Sequence, residues 1–451
     1  MLLNVKKSIL SKTNGVLSSL LVISGLFSSS VALSQGSSHS LSQREQAVIT
    51  QLSGLIPAAT KDLETVVNIN SGTMNFDGVK RVGTWFQQEF AALGFDTRWL
   101  DGAAFERAGH LVAEFTGSES HSSPRLLLIG HLDTVFAKDD DFQTFQRLND
   151  RYAKGPGTTD MKGGNVIIIT ALKALRAAAQ LERLNLRVVL TGDEENSGHP
   201  LTLSKHAIVE GAKWADIALG FEDGDSNVET AVISRRGSVS WQLEVSGKPA
   251  HSSQIFQPHI GDGAIFEAAR ILDTFRTRLQ DEPNLTFNPG LMVAGTRAKV
   301  EQAHGEAFGK GNVIAKTARI TGDIRAISPS QLTKAKEAMF DIVSANLPHT
   351  KASLSFDAGY PPMPPSDGNR QLLSTYSQIS QDLGYGPVIA VDPRKAGAAD
   401  ISFAANHVEM ALDGLGLMGD GGHTKDEVAD LSTLKQNAEK AALLLLRLST
   451  R

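Results

Sequence analysis

The sequence of 451 residues contains no cysteine, which excludes a disulfide framework, a thiolate metal site and a nucleophilic cysteine. It also lacks an excess of positive charge. The formal net charge is −5, which argues against a protein that binds nucleic acid through phosphate contacts. The composition is that of an ordinary globular protein, with 41% hydrophobic and 21% charged residues, and the length exceeds that of one typical domain. We therefore expect two domains and a large core.

The N-terminus has the pattern of a secretory signal peptide. Lys6, Lys7 and Lys12 precede an apolar stretch from 16 to about 31, and small residues around Ala32 offer a cleavage site. A membrane anchor is the alternative, but the stretch is shorter than the ~20 apolar residues of a span, and serines interrupt it. We expect residues 1–34 to be removed, which leaves a secreted or periplasmic protein without membrane contact.

Strand and helix patterns alternate along most of the chain. Apolar runs at 125–130, 186–192 and 217–221 are typical of buried strands, and helical patterns lie between them. This alternation predicts an α/β fold with a mostly parallel sheet flanked by helices. From 234 to 350, half-buried strand patterns surround two helical patterns, which predicts a smaller inserted α+β domain. The larger domain would then comprise 35–233 and 351–451.

His131 and Asp133 come directly after one of the predicted buried strands. Residues i and i+2 of an extended backbone point to the same side, and open α/β sheets bind ligands at the C-terminal ends of their strands. A carboxylate behind a metal-bound imidazole fixes its tautomer and raises its basicity. We therefore interpret His131 as a candidate metal ligand and Asp133 as its partner, with a polar turn as the alternative.

Carboxylates also follow a glycine-rich loop and a second predicted strand. Asp160 lies in GPGTTDMKGG before a helix, where helix capping is the alternative, and the loop lacks the spacing of a phosphate-binding loop. Asp193, Glu194 and Glu195 are consecutive after the strand that ends near 192. Their like charges raise one another's pKa unless cations neutralise them. A solvated loop is the alternative for these three residues.

Two further segments, FEDGD at 221–225 and GGHTKDE at 421–427, add carboxylates and a histidine. Glu222, Asp223 and His423 are the candidate ligands in them. Oxygen and imidazole donors without thiolate suit one or two catalytic zinc ions. The residues therefore predict a zinc centre at the ends of the sheet strands.

In their order along the chain, these segments resemble the motifs of the M20 family of metallopeptidases. This family includes glutamate carboxypeptidases, aminoacylases, acetylornithine deacetylases and succinyl-diaminopimelate desuccinylases. The similarity extends over about 45–448 through GHLDTV, GTTDMKGG, GDEENSG, FED, GKPAHSS, DIR and GGHTKDE. It implies that the α/β domain is catalytic, that the segment 234–350 is a lid and dimerisation domain, and that the protein forms a homodimer.

The resemblance also implies two Zn²⁺ ions per subunit, and it gives their ligands residue by residue. One ion would be bound by His131 and Glu222 and the other by Glu195 and His423, with Asp160 bridging both.

Glu194 and Asp223, which are neighbours of these residues in the sequence, are assigned other roles. Glu194 would be the general base, which takes a proton from the attacking water and later passes it to the leaving amine. Asp223 follows the same predicted strand as Glu222 and is the alternative ligand at that position. The motif position favours Glu222.

Substrate contacts are implied by the resemblance in three further segments. His251 of GKPAHSS would reach the partner subunit's active site and stabilise the oxyanion, with a structural turn histidine as the alternative. Asn312 and Arg325 would hold the α-carboxylate of the substrate, for which the planar fork of arginine is suited, and a strand-surface salt bridge is the alternative for Arg325. Gly397 lies in GAAD, which resembles the family's glycine-rich substrate loop, although Ala399 replaces the usual Ser or Thr.

The leading functional hypothesis is a secreted, zinc-dependent exopeptidase that releases a C-terminal amino acid, with a glutamate-like preference. The alternative enzyme is an N-acyl-amino-acid amidohydrolase, because both reactions cleave an amide whose amine side has a free carboxylate. The substrate would thus be a small peptide or an N-acyl amino acid. A third hypothesis, an inactive zinc-binding relative, is disfavoured because all five ligand positions and Glu194 are present.

Overall fold

The computed structural model describes residues 40–301 and 303–450, and the predicted signal peptide at 1–34 lies outside them. Among these residues, no helix is both long and apolar enough to cross a membrane. The helices of this part are α1 (Gln43–Val67), α2 (Phe76–Ala92), α3 (Lys162–Ala177), α4 (Leu201–Ser204), α5 (His206–Trp214), α6 (Gly263–Leu279), α7 (Pro329–Ser344), α8 (Asp367–Asp382) and α9 (Leu431–Leu448).

The strands of the same residues range from two to ten residues in length. In chain order they are β1 (Asp96–Asp101), β2 (Gly109–Thr116), β3 (Arg125–His131), β4 (Gln146–Arg147), β5 (Tyr152–Lys154), β6 (Asn185–Thr191), β7 (Ile217–Gly220), β8 (Thr230–Ala231), β9 (Val239–Ser246), β10 (Thr286–Gly295), β11 (Arg297–Glu301), β12 (His304–Phe308), β13 (Thr317–Arg325), β14 (Lys351–Phe356), β15 (Ile389–Ala390), β16 (Met410–Leu412), β17 (Gly419–Asp420) and β18 (Val428–Asp430).

A six-stranded sheet forms the centre of the larger part of the chain, in the order β1-β2-β6-β3-β7-β16. The four strands from β6 to β16 run parallel to one another, whereas β1 and β2 add an antiparallel edge, with β2 antiparallel to β6. Parallel neighbours require crossover connections, and α3 and α5 lie in two of these connections. The predicted α/β class with a mostly parallel sheet is confirmed.

Both faces of the central sheet are covered, because alternate side chains of each strand enter different cores. On β3, Leu126 and Leu128 pack in one cluster with buried residues of α1, α3 and α9. Leu127 and Ile129 of the same strand pack in a second cluster with buried residues of α5. Burial on both faces explains why the sequence at 125–130 is apolar without alternation.

A second sheet has four antiparallel strands in the order β10-β13-β9-β14. Along β9, Val239, Trp241, Leu243 and Val245 are buried and the residues between them are exposed. The buried face packs against α6 and α7 in an apolar cluster of its own. This two-layer arrangement is the α+β unit that the alternating pattern predicts. β14 lies past residue 350, and the boundaries 234–350 stay a prediction.

A small antiparallel sheet, in the order β17-β18-β5-β4, joins two distant parts of the chain. β18 pairs with β5, so residues 428–430 lie beside residues 152–154. The loops next to these two strands contain the glycine-rich segment around Asp160 and the GGHTKDE segment around His423. This pairing therefore brings two of the predicted ligand segments together.

Candidate metal centre

Neighbouring strands of the central sheet place histidine and carboxylate side chains at one edge. His131 is the last residue of β3, Glu194 and Glu195 come shortly after β6, and Glu222 follows β7. β3 lies between β6 and β7 and runs parallel to both. The C-terminal ends of the three strands therefore meet, at the edge where open α/β sheets bind ligands.

The first group of possible ligands consists of His131, Asp160 and Glu222, whose ligand atoms lie within 4.8 Å of one another. Nε2 of His131 is 2.9 Å from Oδ1 of Asp160 and 3.4 Å from Oε1 of Glu222. Nδ1 of the same ring is 3.0 Å from the backbone carbonyl of Asp133. The contact of Nδ1 thus fixes the orientation of the ring, and Nε2 faces the two carboxylates.

The second group consists of Asp160, Glu195 and His423 and meets the same distance limit. Nε2 of His423 is 2.8 Å from Oδ2 of Asp160 and 3.1 Å from Oε2 of Glu195. Asp160 thus presents Oδ1 to the first group and Oδ2 to the second. The structure therefore brings together all five residues that the resemblance implies as ligands, with Asp160 shared.

Glu222 and Asp223 occupy different positions relative to His131. Glu222 belongs to the first group, whereas Asp223 belongs to neither group formed by the described residues. The pKa of Asp223 is raised well above its ordinary value by burial and by the nearby carboxylates of Asp160 and Glu222. Asp223 thus lies close to the centre, and the geometry favours Glu222 as the ligand.

The carboxylates of Glu194, Glu195 and Glu222 have raised pKa values, whereas burial of Asp160 is outweighed by hydrogen bonds to His131 and His423, which lower its pKa. Burial, and then the carboxylate of Asp400, raise the pKa of Glu194 well above its ordinary value. Burial raises the pKa of Glu195 to about 7, and burial also raises the pKa of Glu222. Several buried acids without enough cations nearby are costly in their charged form. A cation bound among them would lower that cost.

The two imidazoles respond to the same charges. Hydrogen bonds to Asp160 and Glu195 raise the pKa of His423 to about 11. Burial acts to lower the pKa of His131, but the carboxylate of Glu222 and hydrogen bonds to Asp133 and Asp160 raise it well above its ordinary value. Both rings are therefore held where positive charge is stabilised.

The donor set fits divalent metal ions. Each group offers one imidazole nitrogen and carboxylate oxygens, and the chain has no thiolate to compete. Such donors suit zinc, and each group has three protein ligands, as catalytic zinc sites do. The buried carboxylates that cluster at this point also attract a cation, in agreement with this donor set.

Asp133 makes more contacts than the sequence predicts. Its carboxylate is 3.5 Å from Nδ1 of His131, as expected for a partner of the imidazole. It also accepts hydrogen bonds from the backbone N–H groups of Glu194 at 3.0 Å and Glu195 at 3.1 Å, and from the hydroxyl of Thr73 at 2.6 Å. Asp133 is therefore a positioning residue for the loop that contains both glutamates. Thr73 was missed, because the SGT segment before α2 has no recognisable ligand pattern.

Glu427 is a second positioning residue that the sequence analysis left without a role. Its buried carboxylate accepts hydrogen bonds from the backbone N–H groups of Gly157 at 2.9 Å, Thr159 at 2.8 Å and Asp160 at 3.2 Å. These bonds fix the glycine-rich loop that presents Asp160. The last residue of the GGHTKDE segment thus positions a candidate ligand that lies far away in sequence.

A buried ion network packs behind Glu194, and sequence analysis missed it. Nζ of Lys205 is 3.0 Å from the carboxylate of Asp193 and 3.0 Å from that of Asp400. The hydroxyl of Tyr360 donates to the backbone carbonyl of Glu194 at 3.1 Å and lies 3.3 Å from the Asp400 carboxylate. The network therefore connects the loop after β6 with the segment around Asp400.

His251, Asn312 and Arg325 form hydrogen bonds or ion pairs with residues that belong to neither ligand group. His251 is exposed and bonds Ser253 through Nδ1 at 2.8 Å. The carbonyl of Asn312 accepts from the N–H of Ser252 at 3.0 Å, so Asn312 and His251 lie side by side. Arg325 pairs with Asp323 at 2.9 Å, which is the strand-surface salt bridge considered as the alternative.

Gly397 is connected to the centre through a buried arginine. Its carbonyl accepts a hydrogen bond from Arg235 at 2.8 Å, and Arg235 pairs with Asp413 at 2.8 Å. Asp413 in turn accepts the backbone N–H of Glu222 at 3.3 Å. Hydrogen bonds through Arg235 and Asp413 therefore connect Gly397 with Glu222, one of the candidate ligands. The sequence did not predict this connection.

Comparison with known proteins identifies relatives over most of the chain. Residues 127–447 match the model of peptidase family M20/M25/M40. Carboxypeptidase G2 of Pseudomonas sp. (strain RS-16) is 27% identical over 396 residues, which is 87% of this chain and 89% of that protein.

Solved structures share the fold. Aminopeptidase PepT of Bacillus cereus aligns with a TM-score of 0.68 at 18% identity, over 88% of this chain and 99% of that one. The Bacillus subtilis YXEP protein, described as a dinuclear metal binding peptidase from the M20 family, aligns with a TM-score of 0.60 at 14% identity, over 88% of this chain and 98% of that one.

Proposed function

The chain belongs to peptidase family M20/M25/M40, and we propose that it is a zinc-dependent exopeptidase that hydrolyses the amide bond to a C-terminal amino acid, with a glutamate-like preference. The observation that carries this proposal is the pair of candidate ligand groups that share Asp160, with the carboxylate of Glu194 close to His131, Glu222 and Glu195. The name of the relative carboxypeptidase G2 supports the carboxypeptidase activity. The signal-peptide pattern supports a secreted or periplasmic enzyme.

His131, Asp160 and Glu222 would hold one Zn²⁺ ion, and Asp160, Glu195 and His423 the other. Two such ions, when bound, lower the pKa of water and polarise the scissile carbonyl. The buried carboxylates hold the positions that this chemistry needs, and Asp133 and Glu427 fix the backbone from which they project.

Glu194 would move the proton in the reaction. Its carboxylate takes a proton from the attacking water, whose oxygen bonds to the carbonyl carbon. The same proton then passes to the amine nitrogen as the carbon–nitrogen bond breaks, which gives a free amine and a new carboxylic acid, and this acid ionises to a carboxylate by releasing the second water proton to solvent. A general base works best when its pKa lies near the operating pH, and burial moves the pKa of Glu194 upward from its ordinary value.

The leaving amino acid would be recognised by the inserted segment. Arg325 is part-exposed and already holds a carboxylate, that of Asp323, at 2.9 Å. A substrate carboxylate would take the place of Asp323 on the same guanidinium, with Asn312 beside it. His251, which lies next to Asn312, would stabilise the oxyanion in the partner subunit of a homodimer.

An N-acyl-amino-acid amidohydrolase is the alternative, since the same centre cleaves any amide that fits. The test uses zinc-loaded protein and two substrates, a dipeptide ending in glutamate and an N-acetyl amino acid. Released amino acid is measured by mass spectrometry, with a chelator control. We expect chelator-sensitive release from the dipeptide. Release from the N-acetyl compound alone would establish the alternative, and bound zinc without any release would indicate an inactive relative.

A further inference from the structure

A cavity of about 820 Å³ opens beside the metal centre, between the loop that precedes α2 and the loop that follows β3. Its wall includes three apolar side chains that are unusually exposed: Met74 at 61%, Phe76 at 39% and Val135 at 41%. Ligand sites in proteins measure about 300–1,000 Å³ and are lined mainly by apolar groups. The volume therefore matches a ligand site, and the exposed apolar side chains provide an apolar surface within a wall that also contains polar and charged residues.

The cavity is continuous with the catalytic centre. Glu195, a member of the second ligand group, is part of its wall. Thr73, whose hydroxyl donates to Asp133 at 2.6 Å, is another wall residue. A backbone hydrogen bond from the N–H of Thr73 to the carbonyl of Thr134, at 3.1 Å, holds the two loops together. A molecule bound at the centre can therefore extend into this cavity without crossing the protein.

The charges at the cavity indicate which half of a substrate it takes. Asp77, Asp139 and Glu195 line it, against the single cation Lys138. A leaving amino acid has a free carboxylate, which these acids would repel. The arginine suited to that carboxylate, Arg325, is not part of the wall. The acyl side of the scissile amide, which has no required charge, is the half that fits.

We propose that this cavity is the acyl pocket of the enzyme, and that it selects substrates whose acyl group has an apolar body much larger than acetyl. The proposal rests on the proposed function, because it assumes that an amide is cleaved at the metal centre. Met74, Phe76 and Val135 contact the apolar body, and Glu195 marks the end of the pocket at which the amide lies.

The first experiment compares N-octanoyl-L-glutamate with N-acetyl-L-glutamate on the zinc-loaded protein. Each buried methylene strengthens binding by about fourfold. With two or more of the six additional methylenes buried, kcat/KM for the octanoyl compound exceeds that for the acetyl compound at least about tenfold. Equal values for the two substrates would overturn the proposal while leaving the proposed function intact.

Variants locate the preference in the cavity. Met74→Ser and Val135→Ser are each expected to reduce the octanoyl-to-acetyl ratio of kcat/KM by about fivefold, mainly through KM. Ile389→Ser is the matched control, because Ile389 is 63% exposed on β15 and lies outside the cavity wall. A ratio that stays at the wild-type value in both cavity variants would overturn the assignment of this cavity.

Binding measurements keep the two proposals separable. Calorimetry on the Glu194→Gln variant compares the Kd values of the same two compounds without turnover. If the wild type cleaves neither compound but the octanoyl compound binds tenfold tighter, and Met74→Ser removes the difference, the cavity binds apolar groups, but the proposed function fails and with it the role of the cavity as an acyl pocket. Equal Kd values for the two compounds would overturn the pocket.

Discussion

Replacement of Glu194 by glutamine is expected to lower kcat by about 10²–10⁴-fold, the range that a general base contributes. The amide has the size of the carboxylate but cannot accept the proton of the attacking water. Glu194 is outside both ligand groups among the described residues, so the variant should retain the zinc content of the wild type. The measurement is kcat on a dipeptide ending in glutamate, together with metal analysis of the same sample.

Glu64→Gln is the matched control for this change. Glu64 is an exposed residue of α1, so the same substitution there tests the effect of losing one carboxylate from the surface. Its kcat should equal that of the wild type. Retention of more than a tenth of wild-type kcat in Glu194→Gln would remove Glu194 from the role of base. Loss of zinc from that variant would instead assign Glu194 as a ligand.

Replacement of Lys205 by methionine is expected to lower the free energy of unfolding by about 3–5 kcal/mol. Nζ of Lys205 lies 3.0 Å from each of two buried carboxylates, Asp193 and Asp400. Burial acts to lower the pKa of Lys205, but these carboxylates raise it above its ordinary value, so the side chain is charged at neutral pH. Without the ammonium group, two buried acids remain without a cationic partner.

The exposed Lys213 provides the control for this second prediction. It pairs with Glu210 at 2.7 Å on α5, and both side chains are about half exposed. Lys213→Met should change the free energy of unfolding by less than about 0.5 kcal/mol. Chemical denaturation of the three proteins measures the difference. A loss for Lys205→Met no larger than that for Lys213→Met would contradict the importance of the buried network.

Adding Asp193→Asn to Lys205→Met extends the test. The amide removes one of the two unpaired charges, so the double variant should recover part of the lost stability. No recovery would mean that Lys205 stabilises the protein through packing of its aliphatic stem rather than through its charge. The same network holds the loop of Glu194 through Tyr360. We therefore expect kcat to decrease in the variants whose free energy of unfolding decreases.

The candidate ligands could be recognised in the sequence because metal-binding chemistry leaves local marks there. His131, Glu195 and Glu222 each follow an apolar run that ends a strand, and parallel strands bring such ends together. Family membership, which the motif order predicted, is confirmed by the match over 127–447. The motif position favoured Glu222 over Asp223, and the position of Glu222 beside His131 agrees with that preference.

The supporting residues were not predictable, because their partners are far away in sequence. Lys205 lies in SKH at the junction of α4 and α5, which has the pattern of an exposed helix. Its burial depends on Asp400, almost 200 residues further along. Glu427 similarly acts on the loop of Asp160 through three backbone N–H groups. Such contacts arise from tertiary packing, which local patterns do not contain.

Packing also decides the length of the first helix. A proline lacks a backbone donor and is unfavourable in a helix interior. The observed α1 continues through Pro57 to Val67. Leu63, Val66 and Val67 are fully buried in the main core, and this burial outweighs the cost of the proline. The short hairpin of β11 and β12 was missed, because its residues are mostly polar and exposed.

Titration of the chelator-treated protein with Zn²⁺ tests the dinuclear centre most directly. Bound zinc and release of glutamate from the dipeptide are measured on the same samples. We expect two ions per chain at saturation and turnover that appears with them, because two ligand groups share Asp160. Asp160→Asn should lose both ions and the activity together. Full turnover with one ion per chain or none would contradict the dinuclear mechanism.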